Sequence, residues 1–222
     1  MAGSESRLRD WAPAIVLALA FKAFYAEADA GQLQWLLRPL AGLLNLLGGF
    51  AFQPTPGGEW LDAGHGLVII KACAGGNFLI ASWLGYLWRR RGQPFGPAVL
   101  AGTLAAAWLT TLVANALRIV LIAHGQDDLA RIGHLSDADA HRLIGIAVYF
   151  ACLWLQLVGA GAWLAAPALY LGVAVLLPVL KAALSGHGID AGYALWTAAL
   201  PLAAVAGYGL WRRLRHHDAG RA

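Results

Sequence analysis

Charged side chains are scarce in this 222-residue chain. Asp, Glu, Lys and Arg together make up 13% of it, against about 25% in ordinary globular domains. A water-facing surface needs more than that, so the deficit argues for a lipid surround. Cysteine is scarcer still, with only Cys73 and Cys152, which excludes a disulfide framework and any Cys-x-x-Cys zinc spacing. No His-x-x-x-His pair occurs either, so a catalytic metal is disfavoured and no cofactor is called for. Aspartates are missing from the interiors of the apolar runs, which removes the paired carboxylates of intramembrane aspartyl chemistry. Nothing resembling a Ser/Pro/Gly-rich linker, a long charge run or an internal repeat divides the chain, so residues 1–222 read as one integral domain. The net charge of +4 carries no message about nucleic acid, because the basic residues gather at the ends of apolar runs, as a membrane requires.

Apolar sequence is what the chain has in quantity: 59% of its residues are hydrophobic. The reading is an all-α polytopic membrane protein with about six transmembrane helices, near 11–27, 74–90, 95–117, 142–164, 168–184 and 191–211. No small-residue cleavage site follows the first apolar stretch, which is read as a retained span. Arg7 and Arg9, Arg89-Arg90-Arg91, and Arg212-Arg213 with Arg215 flank these runs; basic flanks stay cytoplasmic, so both termini and the 89–94 turn are assigned inside. Gln32–Leu47 is then expected as an interfacial or re-entrant helix on the outer side, with Trp35 at headgroup level. A full span at 33–52, with the N-terminus outside, is the rival. Beyond it, Pro54, Pro56, Gly57 and Gly58 mark a turn, and Leu67-Val68-Ile69-Ile70 suits a strand. The expectation is a short two-stranded β-hairpin on the outer face leading directly into Cys73.

Three residues at outer ends of apolar runs carry the chemistry. Cys73 lies in Lys71-Ala-Cys-Ala-Gly-Gly-Asn77. A helix start and a nearby cation favour thiolate over thiol, and Gly75-Gly76 leaves backbone N–H groups uncovered for an oxyanion. Arg118 closes the next run, with Asn115 three residues earlier on the same helical face; its guanidinium keeps its charge near lipid and offers fixed donors to a carboxylate or oxyanion. His141 opens the following run and suits a general acid/base or thiolate partner. Each also has a plain reading: a buried thiol, a headgroup-anchoring arginine, a solvated histidine. His124 and His134, expected in the same outer loop, compete with His141, and His65 is a weaker rival. His187, His216 and His217 read as loop or tail residues. Cys152 reads as a small buried hydrophobe unable to reach Cys73.

Taken together, Cys73-Ala-Gly75, Asn115-Ala-Leu-Arg118 and His141-Arg-Leu-Ile-Gly145 resemble the motif set of the exosortase/archaeosortase family of membrane cysteine transpeptidases. Cys73-Ala-Gly-Gly-Asn77-Phe78 looks most like the exosortase K branch. The resemblance covers about residues 15–165, the implied catalytic core; the two C-terminal spans, 168–211, match nothing diagnostic. It implies a multi-pass enzyme of the bacterial inner membrane with its site facing the periplasm. Its substrates would be exported proteins bearing a C-terminal motif, a transmembrane helix and a basic tail. Cys73 would form a thioester, Arg118 would stabilise the oxyanion, and His141 would move the proton, with Asn115, Gly75 and Asn77 in support. Ala74 stands where many relatives carry serine. The competing readings are a transporter or anion-binding subunit built on Arg118, and a non-catalytic envelope assembly protein. Oligomeric state, cleavage motif and acceptor nucleophile are not legible.

Overall fold

The computed structural model describes residues 2–47, 49–159, 161–176, 179–180 and 191–219. It is mostly helical, with one small sheet. The elements are α1 (Ala2–Glu27), α2 (Gln34–Leu46), β1 (Gln53–Pro54), β2 (Trp60–Asp62), β3 (Leu67–Ile69), a 3-10 turn (Lys71–Ala74), α3 (Gly76–Arg89), α4 (Pro97–Gly133), α5 (Asp137–Val158), α6 (Ala165–Leu171) running into a π-helical turn (Gly172–Leu176), and α7 (Ala191–Ala219). Among the described residues, two helices, α4 and α5, are long and apolar enough to cross a membrane. The span expected over 168–184 is described only to Leu176 and at 179–180; its remainder, with His187 and Asp190, lies outside the described residues. His216 and His217, expected in a tail, fall within α7.

The helix α2 is amphipathic by spacing. Leu36, Leu37, Leu40, Ala41 and Leu44 form its buried stripe, as a 3.6-residue period requires. Thirteen residues rise only about 20 Å, short of a bilayer core of about 30 Å. Residues 33–52 do not form one continuous helix, since α2 ends at Leu46 and β1 begins at Gln53; the span expected at 74–90 is likewise a helix of only 14 residues, Gly76–Arg89. Pro39 lies inside α2 and has no N–H to give Trp35; the freed Trp35 carbonyl accepts instead from Trp108 Nε1 of α4, 3.3 Å away. A sequence rule against interior proline thus becomes a bolt between two helices. Asn45 then turns the chain outward: its amide donates to Phe52 O at 3.1 Å and its Oδ1 accepts from Phe52 N at 2.8 Å.

The expected hairpin is a three-stranded antiparallel sheet in the order β1-β2-β3. Leu61 sits opposite both Gln53 and Val68, and Trp60 opposite both Pro54 and Ile69. Pro54 read as turn, yet it occupies an edge strand, where a missing N–H is tolerated. The β2–β3 turn is organised by Asp62, which is 1% exposed. Its carboxylate accepts from the backbone of Ala51, Gly64 and His65, and from His65 Nδ1 at 2.9 Å. Burial opposes that charge, but the His65 hydrogen bond and the three backbone donors outweigh it and hold the carboxyl below its usual range.

Behind the sheet, α3 runs through the interior, with Phe78, Leu79, Ile80, Ala81, Trp83 and Leu87 buried. Its polar residues are paired: Ser82 Oγ donates to Gln156 Oε1 at 3.2 Å, and Trp83 Nε1 to Thr103 Oγ1 at 3.1 Å. Around it, α4 was expected to end near Leu117 and instead continues to Gly133, 37 residues in all. At 1.5 Å per residue that is about 55 Å, so some four turns project beyond Arg118. The helix stops only where Gly133 gives way to His134 in the left-handed conformation, φ 50°. His124 is therefore a helical residue and not a loop residue. Likewise Asp137 and Asp139 belong to the first turn of α5, where acidic residues suit the helix dipole. Ser136 caps that turn, its Oγ accepting from Asp139 N. The span expected to 164 stops at Val158.

Candidate active site

The turn before α3 is built around a glycine. Lys71–Ala74 form the 3-10 turn, and Gly75 then takes φ 68°, ψ 29°, a left-handed conformation that side chains resist. A Cβ on Gly75 would lie 2.7 Å from Asn115 Nδ2. Asn115, 1% exposed on α4, uses the room to donate from Nδ2 to Ala74 O at 3.1 Å. Cys73 is not the first residue of α3, as expected, but sits one residue earlier than this clamp, half-buried. Its backbone N–H donates to Ile70 O, and its side chain packs at the edge of the α2–sheet cluster. Lys71 does not turn toward the thiol by hydrogen bond; its Nζ donates to Ala26 O at 2.9 Å.

Arg118 is held from three directions. Its Nη1 donates to Tyr149 Oη at 3.2 Å, and its Nη2 to His141 Nε2 at 2.9 Å. Its Nε lies over Gly145, where a Cβ would come within 3.2 Å of it. That Nε is buried and has no hydrogen-bond partner. Tyr149 passes the chain on, donating from Oη to Asn115 Oδ1, while its ring stacks on Phe78 at 4.8 Å. His141 Nδ1 faces Gln126 Oε1 at 3.2 Å. A continuous path of hydrogen bonds thus runs from Gln126 through His141, Arg118, Tyr149 and Asn115 to the carbonyl beside Cys73. Each carrier is placed by helical period: His141, Gly145 and Tyr149 follow at steps of four on α5, and Asn115, Arg118 and Gln126 share one side of α4.

A cavity of about 230 Å³ opens onto this path. Ala72, Gly75, Gly76 and Asn77 form one side, Arg118, His141, Gly145 and Tyr149 another, and Tyr170 with Val173 of the α6–π segment a third. Cys73 itself is not in its wall, although it lies within electrostatic reach of Arg118, Tyr149 and Tyr25. Asn77 lines the cavity and accepts from Lys22 Nζ of α1. Tyr25, also of α1, donates to Lys71 O at 3.1 Å; Gly76 must lack a side chain because a Cβ would meet the Tyr25 ring at 2.6 Å.

Of the expected residues, Asn115, Arg118, His141, Gly145, Gly75 and Asn77 come together, and Cys73 adjoins them. The rivals do not join: His65 pairs with Asp62 and, like His124, packs beside Phe50, and His134 caps α4. Tyr149, Tyr25 and Gln126 were not anticipated. Tyr149 and Gln126 each lie two helical turns, eight residues, from His141 and Arg118, and that spacing was the available signal. Both cysteines are free, Cys152 half-buried within α5. No group of three or more His, Cys, Asp or Glu suited to a metal occurs among the described residues. No protein-family model, curated protein or solved structure matches the chain.

Proposed function

We propose that this chain is a multi-pass membrane cysteine transpeptidase of exosortase type, working at the periplasmic face of a bacterial inner membrane. One observation carries the reading. Three short motifs, 73–77, 115–118 and 141–145, interlock around one cavity: Gly75 makes room for Asn115, Gly145 makes room for Arg118, and Arg118 holds His141. The small residues within the motifs thereby acquire a physical reason that the motifs alone do not supply. A lipid surround is supported by the apolar side chains left outward on α1, α4 and α7, among them Val16, Leu109, Val113, Leu195 and Leu210. On this reading six helices span, and α4 carries Arg118 about 32 Å from Pro97, near the outer edge of the hydrocarbon.

The proposed substrate is an exported protein whose C-terminal end carries a short motif, a transmembrane helix and a basic tail. Its own helix confines it to the bilayer and raises its concentration at the site. The Cys73 proton passes to His141 Nε2 as sulfur attacks the carbonyl carbon. The developing oxyanion takes the unpaired Arg118 Nε–H together with a donor that Arg118 withdraws from its resting partners. The C–N bond then breaks, the leaving amine takes the proton from His141, and a thioester remains on Cys73. An envelope nucleophile resolves it and restores the thiol. Two movements follow from the resting geometry: the Cys73 side chain turns from the α2 cluster toward the cavity, and Arg118 releases His141.

Co-expression of such a substrate with Cys73→Ala, Arg118→Lys and wild-type protein tests the reading. Cys73→Ala abolishes processing while the protein stays in the membrane fraction. Arg118→Lys lowers processing on the order of 10²–10³-fold, because a point charge does not reproduce the guanidinium fork. Undiminished processing by Cys73→Ala refutes the proposal.

A further inference from the structure

Gln126 belongs to the four turns of α4 that project past Arg118, half-buried on the side that faces α5. The atoms around His141 admit only one assignment of protons. A guanidinium has donors and no acceptor, so Arg118 Nη2, 2.9 Å from His141 Nε2, requires a lone pair on that nitrogen. A doubly protonated ring would set two N–H groups and two positive charges against each other there. The ring is therefore neutral, and its single proton sits on Nδ1. That N–H is 3.2 Å from Gln126 Oε1, which accepts it; the amide NH2 group would not, so the amide orientation is fixed by the same chain.

We infer that Gln126 is the positioning residue of the site, holding His141 as the Nδ1–H tautomer with Nε2 directed at the Arg118 side of the cavity. The inference rests on His141 being the proton carrier proposed above. Its importance lies in the moment of reaction. While Arg118 donates to Nε2, the tautomer is secured from both sides. Once Arg118 leaves for the oxyanion, Gln126 is the remaining hydrogen-bond partner of the ring and keeps the basic nitrogen facing the substrate. A ring that inverted its tautomer would present an N–H to the thiol and accept nothing. The other polar groups nearby do not substitute for Gln126: Arg142, on the cavity wall, pairs with Asp139 at 3.7 Å, and Tyr149 is engaged by Arg118 and Asn115.

Nitrogen-15 spectra of the full-length protein in lipid nanodiscs, labelled at histidine and assigned by difference from His141→Ala, read the tautomer without turnover. The expected results are a neutral Nδ1–H ring in the wild type, a changed Nδ1–H resonance in Gln126→Leu, and a hydrogen-bonded Nδ1–H retained in Gln126→Glu. In Arg118→Leu, which mimics departure of the guanidinium, Gln126 alone keeps Nδ1–H; adding Gln126→Leu releases the ring to mix both forms. An Nε2–H ring in the wild type overturns the inference, as does a Gln126→Leu spectrum unchanged from wild type. In the processing assay, Gln126→Leu lowers kcat by on the order of 10²-fold with KM held, and Gln126→Glu recovers most of it. If the spectra behave as stated while Cys73→Ala still processes substrate, the transpeptidase reading fails and the placement of His141 by Gln126 stands.

Discussion

Gly75 carries two constraints that no side chain meets: a positive φ of 68° and the Asn115 amide 2.7 Å from where its Cβ would be. Gly75→Ala is expected to destabilise by about 1–3 kcal/mol and to displace the turn that bears Cys73. Gly145→Ala strains less, since its Cβ meets one flexible side chain, Arg118, at 3.2 Å; the loss falls on activity more than on stability. Gly42 is the contrast. It is exposed within α2 with nothing within 4 Å of its would-be Cβ, so Gly42→Ala gains about 0.5–1 kcal/mol of helix propensity. Thermal unfolding in detergent ranks the three, with Gly75→Ala melting lowest and Gly42→Ala highest. At this scale Arg118 and His141 stood out in the sequence because cationic and imidazole side chains are rare within or beside its apolar runs. Tyr149 and Gln126 did not, because the eight-residue spacing that links them to His141 and Arg118 does not by itself separate a network member from an ordinary packing or surface residue.

Elements proved readable where period decided them and unreadable where termination did. The stripe of α2 follows from its leucines. The end of α4 was misplaced because Arg118 looked like the boundary of an apolar run, whereas a helix ends where backbone hydrogen bonds cease. Neither Ile119-Val-Leu-Ile-Ala123 nor the interior Gly125 stops it; the stop comes at Gly133, where His134 takes the left-handed conformation. Two prolines likewise hid β1 and the Trp35–Trp108 bond. The sheet offers a pH test. The Asp62 carboxyl is held below its usual range in the folded state, so its contribution to stability is present above the unfolded-state value of about 3.9. It is lost as pH falls through the lower folded value. Asp62→Asn is expected to lower the melting temperature near neutrality and to flatten its fall in acid. A wild-type acid profile that Asp62→Asn leaves unaltered contradicts this role.

Across the described residues of the whole molecule, a polar path from Gln126 to the carbonyl beside Cys73 runs through a largely apolar body. Its described interior closes over α3, apolar side chains are left outward on α1, α4, α7 and other elements, and its candidate site opens beside the sheet-to-α3 turn and the stretch of α4 around Arg118. The proposed six-span arrangement predicts sidedness. A membrane-impermeant maleimide is expected to label Cys73 in intact spheroplasts, and to label a cysteine substituted at Arg90 only after the membrane is opened. Labelling of both from the same side contradicts the six-span topology. The most direct measurement of the central claim is mass spectrometry of the enzyme purified with a co-expressed substrate. The account predicts a substrate fragment joined to the Cys73 peptide as a hydroxylamine-labile thioester, absent from Cys73→Ala. Substrate cleaved normally by Cys73→Ala, with no such adduct on the wild type, would contradict it.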